Sequence, residues 1–169
     1  MKNKCVFLDR DGVINRERGE YTFKVKDFEI LPGVIEGLKR LKEAGYLLIV
    51  ITNQAGISRG LYTRQEMQSC HDFLNEQTGC VIDQIYYSPY HPTVTESIAR
   101  KPDSLMFEKA MVKFNIDPEQ SWMVGDKERD LIPAKKLNMS TILVSEEQNS
   151  SYADYCKSTF NEVVEVVLS

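Results

Sequence analysis

The apolar residues of this chain fall into short unbroken runs separated by stretches with helical spacing. Residues 4–8 (Lys-Cys-Val-Phe-Leu) and 47–51 (Leu-Leu-Ile-Val-Ile) show no polar alternation, the pattern of strands covered on both faces. Between them, Leu31-Pro32-Gly33 opens a segment in which Val34, Ile35, Leu38 and Leu41 share one helical face, and Gly45 follows as its stop. Thr63-Arg64-Gln65-Glu66 has capping-box spacing and predicts a helix to about residue 77. Residues 81–87 predict a third strand, and Asp103 is placed to cap a helix carrying Leu105, Met106, Ala110, Met111 and Phe114. Strands at 121–124 and 141–144 flank a short helix containing Lys135-Lys136-Leu137, in which Pro133 is tolerable only near the first turn. Val163, Val164, Val166 and Val167 predict a docked C-terminal helix despite their β preference.

Such alternation predicts an α/β fold: a three-layer, Rossmann-like parallel sheet with helices on both faces. The 169 residues fit one domain, 1–169. The net charge of −4 argues against nucleic acid as a main partner. No run approaches the roughly 20 apolar residues of a membrane span. Met1-Lys2-Asn3-Lys4 leads straight into a core strand, so a cytoplasmic, monomeric protein without a signal peptide is expected. Cys5, Cys70, Cys80 and Cys156 form no Cys-x-x-Cys pair; Cys5 and Cys70 fall on core positions.

Chemistry gathers where the strands end. The first strand runs into Asp9-Arg10-Asp11-Gly12. Two acids one residue apart are poor core material, and they suit a Mg²⁺ ion, which takes hard oxygen ligands. After the second strand come Thr52, Asn53 and Gln54; after the third, a long loop ends in Arg100-Lys101-Pro102; after the fourth come Gly125, Asp126, Lys127 and later Asp130. Ligands of open α/β sheets bind at this edge, and acids, a hydroxyl, an amide and two cations there suit a Mg²⁺–phosphate site. Blander readings stand beside this one: Thr52 as a turn residue, Lys101, Arg100 and Lys127 as surface charge, Asp130 as an acid complementing a helix dipole. His71 and His91 offer no clear chemistry.

In this order the motifs resemble the haloacid dehalogenase-like phosphatases. Residues 8–15 (Leu-Asp-Arg-Asp-Gly-Val-Ile-Asn), 52–60 (Thr-Asn-Gln-Ala-Gly-Ile-Ser-Arg-Gly), 100–102 and 124–127 are similar to the branch that hydrolyses D-glycero-D-manno-heptose 1,7-bisphosphate; histidinol-phosphate phosphatases share part of the pattern. The resemblance implies a Mg²⁺-dependent hydrolysis of a phosphomonoester through an aspartyl-phosphate. Asp9 is then the nucleophile and Asp11 the general acid and base, with Mg²⁺ on Asp9, Asp126 and the backbone carbonyl of Asp11. Asp130 acts behind these ligands, Thr52 and Lys101 hold the phosphoryl group, and Asn53, Gln54, Arg100 and Lys127 contact substrate. Glu17, Arg18 and Gly19 lie in a loop leaning over the site. The intervals between motifs leave no room for a cap domain, so the site is expected to be open to a small phosphorylated sugar.

The branch carries a zinc loop of Cys-x-His and Cys-x-Cys just before Arg-Lys-Pro. Here those positions read Ser88-Pro89-Tyr90 and Ser97-Ile98-Ala99, so no structural zinc is expected and substrate choice is the property most exposed to change. A receiver-like module that accepts phosphate on an aspartate is the rival from another class. Against it, both acids follow the first strand.

Overall fold

The computed structural model describes residues 2–146 and 149–169, so Met1 of the N-terminal lead-in lies outside the described residues. The strands are β1 (Cys5–Leu8), β2 (Leu47–Asn53), β3 (Gln84–Ser88), β4 (Trp122–Gly125), β5 (Ser140–Val144) and β6 (Tyr155–Lys157). They form one six-stranded sheet in the order β3-β2-β1-β4-β5-β6, and each neighbouring pair is parallel. The helices are α1 (Val34–Glu43), α2 (Arg64–Thr78), α3 (Leu105–Phe114), α4 (Glu128–Lys136) and α5 (Phe160–Leu168).

Strand periodicity explains the three layers. Val6 and Leu8 of β1, Leu48 and Val50 of β2, Val124 of β4 and Ile142 of β5 face one side, where α1, α2 and α5 cover them with Leu38, Leu41, Leu74, Val163 and Val164. Cys5, Phe7, Ile49, Ile51, Met123 and Leu143 face the other side, beneath Met106, Phe107 and Ala110 of α3 and Leu131 and Ala134 of α4. Burial on both faces is why these strands read as unbroken apolar runs. The capping box Thr63–Glu66 opens α2, and Thr159 with Glu162 caps α5 in the same way, which holds its valines in a helix. Among the described residues, no helix is long and apolar enough to cross a membrane.

The structure departs from the sequence reading in four places. A sixth strand, β6, pairs with β5 at the sheet edge; three residues are too few to show a pattern. The third strand starts at Gln84, because the Asp83 carboxylate takes the Leu48 N–H at 2.8 Å and so ends the ladder, leaving Val81 and Ile82 as cover for the core. Asp103 is not the cap of α3: Ser104 is its N-cap, and Asp103 N–H is spent on the carbonyl of Arg100. Pro133 stands in the middle of α4, a helix that begins at Glu128, and its missing N–H leaves the Arg129 carbonyl without its helical donor.

Candidate active site

The strand order reverses between β1 and β4, so the crevice at their carboxyl ends is the topological switch point. Asp9 leaves β1 there, with its N–H on the carbonyl of Val124 at 2.9 Å. Lys101 arrives on the segment between β3 and α3. Its Nζ donates to Asp9 Oδ1 at 2.8 Å and to the Ile51 carbonyl at 2.7 Å, and pairs with Asp130 Oδ1 at 2.7 Å. The side chains of Lys101 and Asp130 are fully buried. Burial alone would drive the lysine toward its neutral form, but the two carboxylates outweigh it and hold the pKa above its ordinary value. Asp130 is therefore the counter-ion that keeps Lys101 charged, beyond any helix-dipole role.

Asp9, Asp126 and Asp130 bring carboxylate oxygens within 4.8 Å of one another. Burial first, and then the charge of Asp130, push the pKa values of Asp9 and Asp126 upward. Asp126 Oδ1 is buried without a hydrogen-bond partner. A divalent cation would relieve both conditions, and an all-oxygen donor set suits Mg²⁺. Gly12, at φ +87°, passes so close that a Cβ there would collide with the Asp126 carboxylate.

The Asp11 side chain stands outside this cluster. Arg10 Nη2 and Nε donate to its two oxygens at 2.9 and 3.2 Å, Asn15 Nδ2 donates at 2.9 Å and Gln54 Nε2 at 3.2 Å. Burial raises the Asp11 pKa, but the Arg10 charge and these hydrogen bonds together carry it below the ordinary carboxylate value. Arg10 is itself buried, donating also to the Thr22 carbonyl at 2.7 Å, with its guanidinium 5.4 Å from the Phe28 ring centroid. His71 Nε2 lies 3.4 Å from Arg10 Nη1, and burial followed by the Arg10 charge lowers the ring's pKa to about 4.

Thr52 is buried, and its Oγ1 accepts from Gln54 Nε2 at 2.9 Å, while Gln54 Oε1 accepts from Tyr62 at 2.7 Å. Asn53 clamps the backbone of Lys101: its Oδ1 accepts from Lys101 N–H and its Nδ2 donates to the Lys101 carbonyl, both at 3.1 Å. At the other end of the 89–100 segment, Ser58 N–H donates to the Pro89 carbonyl at 3.1 Å and Ser58 Oγ accepts from His91 N–H at 3.0 Å. These bonds tie the loop to β2 and the segment after it.

A cleft of about 500 Å³ opens over Asp9 and Asp11, lined also by Asn53, Gln54, Lys127 and Arg129. Thr52 and Lys101 are buried and do not line it. Lys127 Nζ reaches Glu17 at 3.2 Å and Asp126 at 3.4 Å, and these acids, against the effect of burial, hold its pKa up. Arg100 lines the neighbouring hollow with Lys101, and its Nη1 donates to the Tyr90 carbonyl at 3.1 Å. Glu17 and Gly19 border the cleft as expected; Arg18 does not, and pairs instead with Asp27 at 3.6 Å and Glu20 at 3.8 Å. Sequence reading gave no role to Arg10, Asn15 or Tyr62. The available signal for Arg10 was a cation wedged between two strand-end acids.

The haloacid dehalogenase-like hydrolase family model matches residues 7–144. The D-glycero-beta-D-manno-heptose-1,7-bisphosphate 7-phosphatase of Haemophilus ducreyi is 42% identical over 150 residues, which cover 83% of this chain and 82% of that protein. The D-glycero-alpha-D-manno-heptose-1,7-bisphosphate 7-phosphatase of Burkholderia mallei is 39% identical over 160 residues, 89% of this chain and 84% of its own. Among solved structures, a D,D-heptose 1,7-bisphosphate phosphatase from B. bronchiseptica, complexed with magnesium and phosphate, superposes with a TM-score of 0.87 at 25% identity and 98% coverage of both chains.

Proposed function

This chain belongs to the haloacid dehalogenase-like hydrolases and is a phosphomonoester hydrolase, and on that premise we propose that it removes the 7-phosphate of a D-glycero-D-manno-heptose 1,7-bisphosphate. The observation that carries the reading is the buried Asp9–Lys101–Asp130 array at the switch point, beside an Asp126 oxygen with no partner. The relatives of both anomeric specificities supply the substrate class. The product would feed nucleotide-heptose synthesis for a surface polysaccharide.

Asp9 and Asp126 would hold Mg²⁺, together with the backbone carbonyl of Asp11. The ion would offset negative charge on the phosphoryl oxygens and on the acids around it. Asp9 attacks phosphorus, and the phosphorus–oxygen bond to the sugar breaks. Lys101 faces the charge that builds on the phosphoryl oxygens, and Thr52 donates a hydrogen bond to them. The incoming phosphate dianion raises the pKa of Asp11 against the Arg10 fork, so that Asp11 takes up a proton from solvent as substrate binds and gives it to the departing alkoxide. It then takes a proton from the water that releases phosphate from Asp9. Arg100 and Lys127, with Asn53 and Gln54, hold the rest of the substrate.

The test is phosphate release at pH 7 with Mg²⁺ on both heptose 1,7-bisphosphate anomers, fructose 1,6-bisphosphate and histidinol phosphate. A preference of 10²-fold or more in kcat/KM for one heptose anomer, roughly 2.7 kcal/mol, is the expected result; comparable rates on all four would sink the substrate assignment. Asp9→Asn should abolish turnover while leaving the metal-free melting temperature equal or higher, because it removes one of three crowded acids.

A further inference from the structure

Arg129 is the second residue of α4, where the positive end of the helix dipole disfavours a cation and favours the acids Glu128 and Asp130 on either side of it. Its Nε is buried and has no hydrogen-bond partner, and among the described residues it joins no ion pair. The side chain lines the cleft together with Asp9, Asp11 and Lys127. Among the described residues, the Arg100 side chain bonds the Tyr90 carbonyl. Arg129 thus brings an unpaired guanidinium to the cleft, while Arg100 lines the neighbouring hollow. Leaving a buried donor unmet costs about 1–3 kcal/mol, and a guanidinium fork matches the oxygens of a phosphate.

We propose that Arg129 is a ligand of the substrate phosphate that is not cleaved, holding it while the reacting phosphate sits over Asp9. The assignment rests on the bisphosphate reading above and adds to it a residue that sets specificity. A dianion matches the Arg129 fork in charge and in paired oxygens; a sugar hydroxyl does neither. On that reading, sugar monophosphates are discriminated against at Arg129.

The experiment compares wild type, Arg129→Ala and Arg129→Lys on heptose 1,7-bisphosphate and on heptose 7-phosphate, with thermal melting as a control for folding. Arg129→Ala should lower the ratio of kcat/KM, bisphosphate over monophosphate, by tenfold or more, with most of the change in KM. Arg129→Lys should recover part of it, because it keeps the charge and loses the fork. An equal loss on both substrates, or an unchanged ratio, would overturn the role of Arg129 and leave the bisphosphate reading standing. A wild-type enzyme that hydrolyses p-nitrophenyl phosphate but does not prefer the bisphosphate would overturn both.

Discussion

Arg10 lies between two acids in sequence and against only one of them in space. Its fork fixes the Asp11 carboxylate, and the Thr22 carbonyl and His71 fix the fork. Lysine cannot reproduce two parallel donors, so Arg10→Lys should cut kcat tenfold or more while changing KM less; steady-state kinetics on the heptose bisphosphate check this. His71 titrates the same cluster. Its folded value of about 4 lies below the ordinary 6.5, so its contribution is fully present above pH 6.5. Between pH 6.5 and 4 the unfolded chain takes up a proton that the folded chain refuses, and stability falls by up to roughly 3 kcal/mol. Urea unfolding at pH 7 and pH 4.5 should show a smaller loss in His71→Gln than in wild type; equal losses would place the titration elsewhere. The acids were legible because motif and strand end coincide, and Lys101 because Arg-Lys-Pro closes the long loop after the third strand. Arg10 and His71 were not, because their partnership depends on how residues 10–22 fold back over α2, which no spacing encodes.

At the level of elements, the helix–sheet alternation was legible throughout because each buried strand is an unbroken apolar run and each long helix has a distinct face. What escaped were features decided by a neighbour: a three-residue edge strand, a strand start set by Asp83, and a proline carried inside α4 by the packing of that helix on β4 and β5. The α1–α5 contact is a third case of this kind. Gly37 is buried in α1, where a Cβ would come within 2.8 Å of the Phe160 ring and of Val164. Glycine in a helix costs about 0.5–1 kcal/mol relative to alanine, yet overpacking here costs about 1–3 kcal/mol. Gly37→Ala should therefore lower the melting temperature and leave kcat and KM as they are, which calorimetry and kinetics together would check.

Across the whole molecule, the crowded acids couple folding to the cation. In the metal-free protein the raised pKa values of Asp9 and Asp126 favour the fold at low pH and withdraw that support as pH rises through them. Mg²⁺ should reverse the loss. At a hundredfold excess over its Kd it contributes about 2.7 kcal/mol, so the melting temperature should rise on adding Mg²⁺ at pH 7.5, by much less at pH 5, and fall back with a chelator. Scanning calorimetry at the two pH values would show this; an equal increment at both would remove these acids from the metal site. The loop of residues 89–100 stands apart from that coupling, since Ser58 pins one end and the Asn53 clamp holds the backbone of Lys101 at the other. Such a segment is a cassette: its sequence can drift, lengthen or be exchanged while Lys101 keeps its station, so one hydrolytic core can be readdressed to new substrates by rewriting a single stretch of chain.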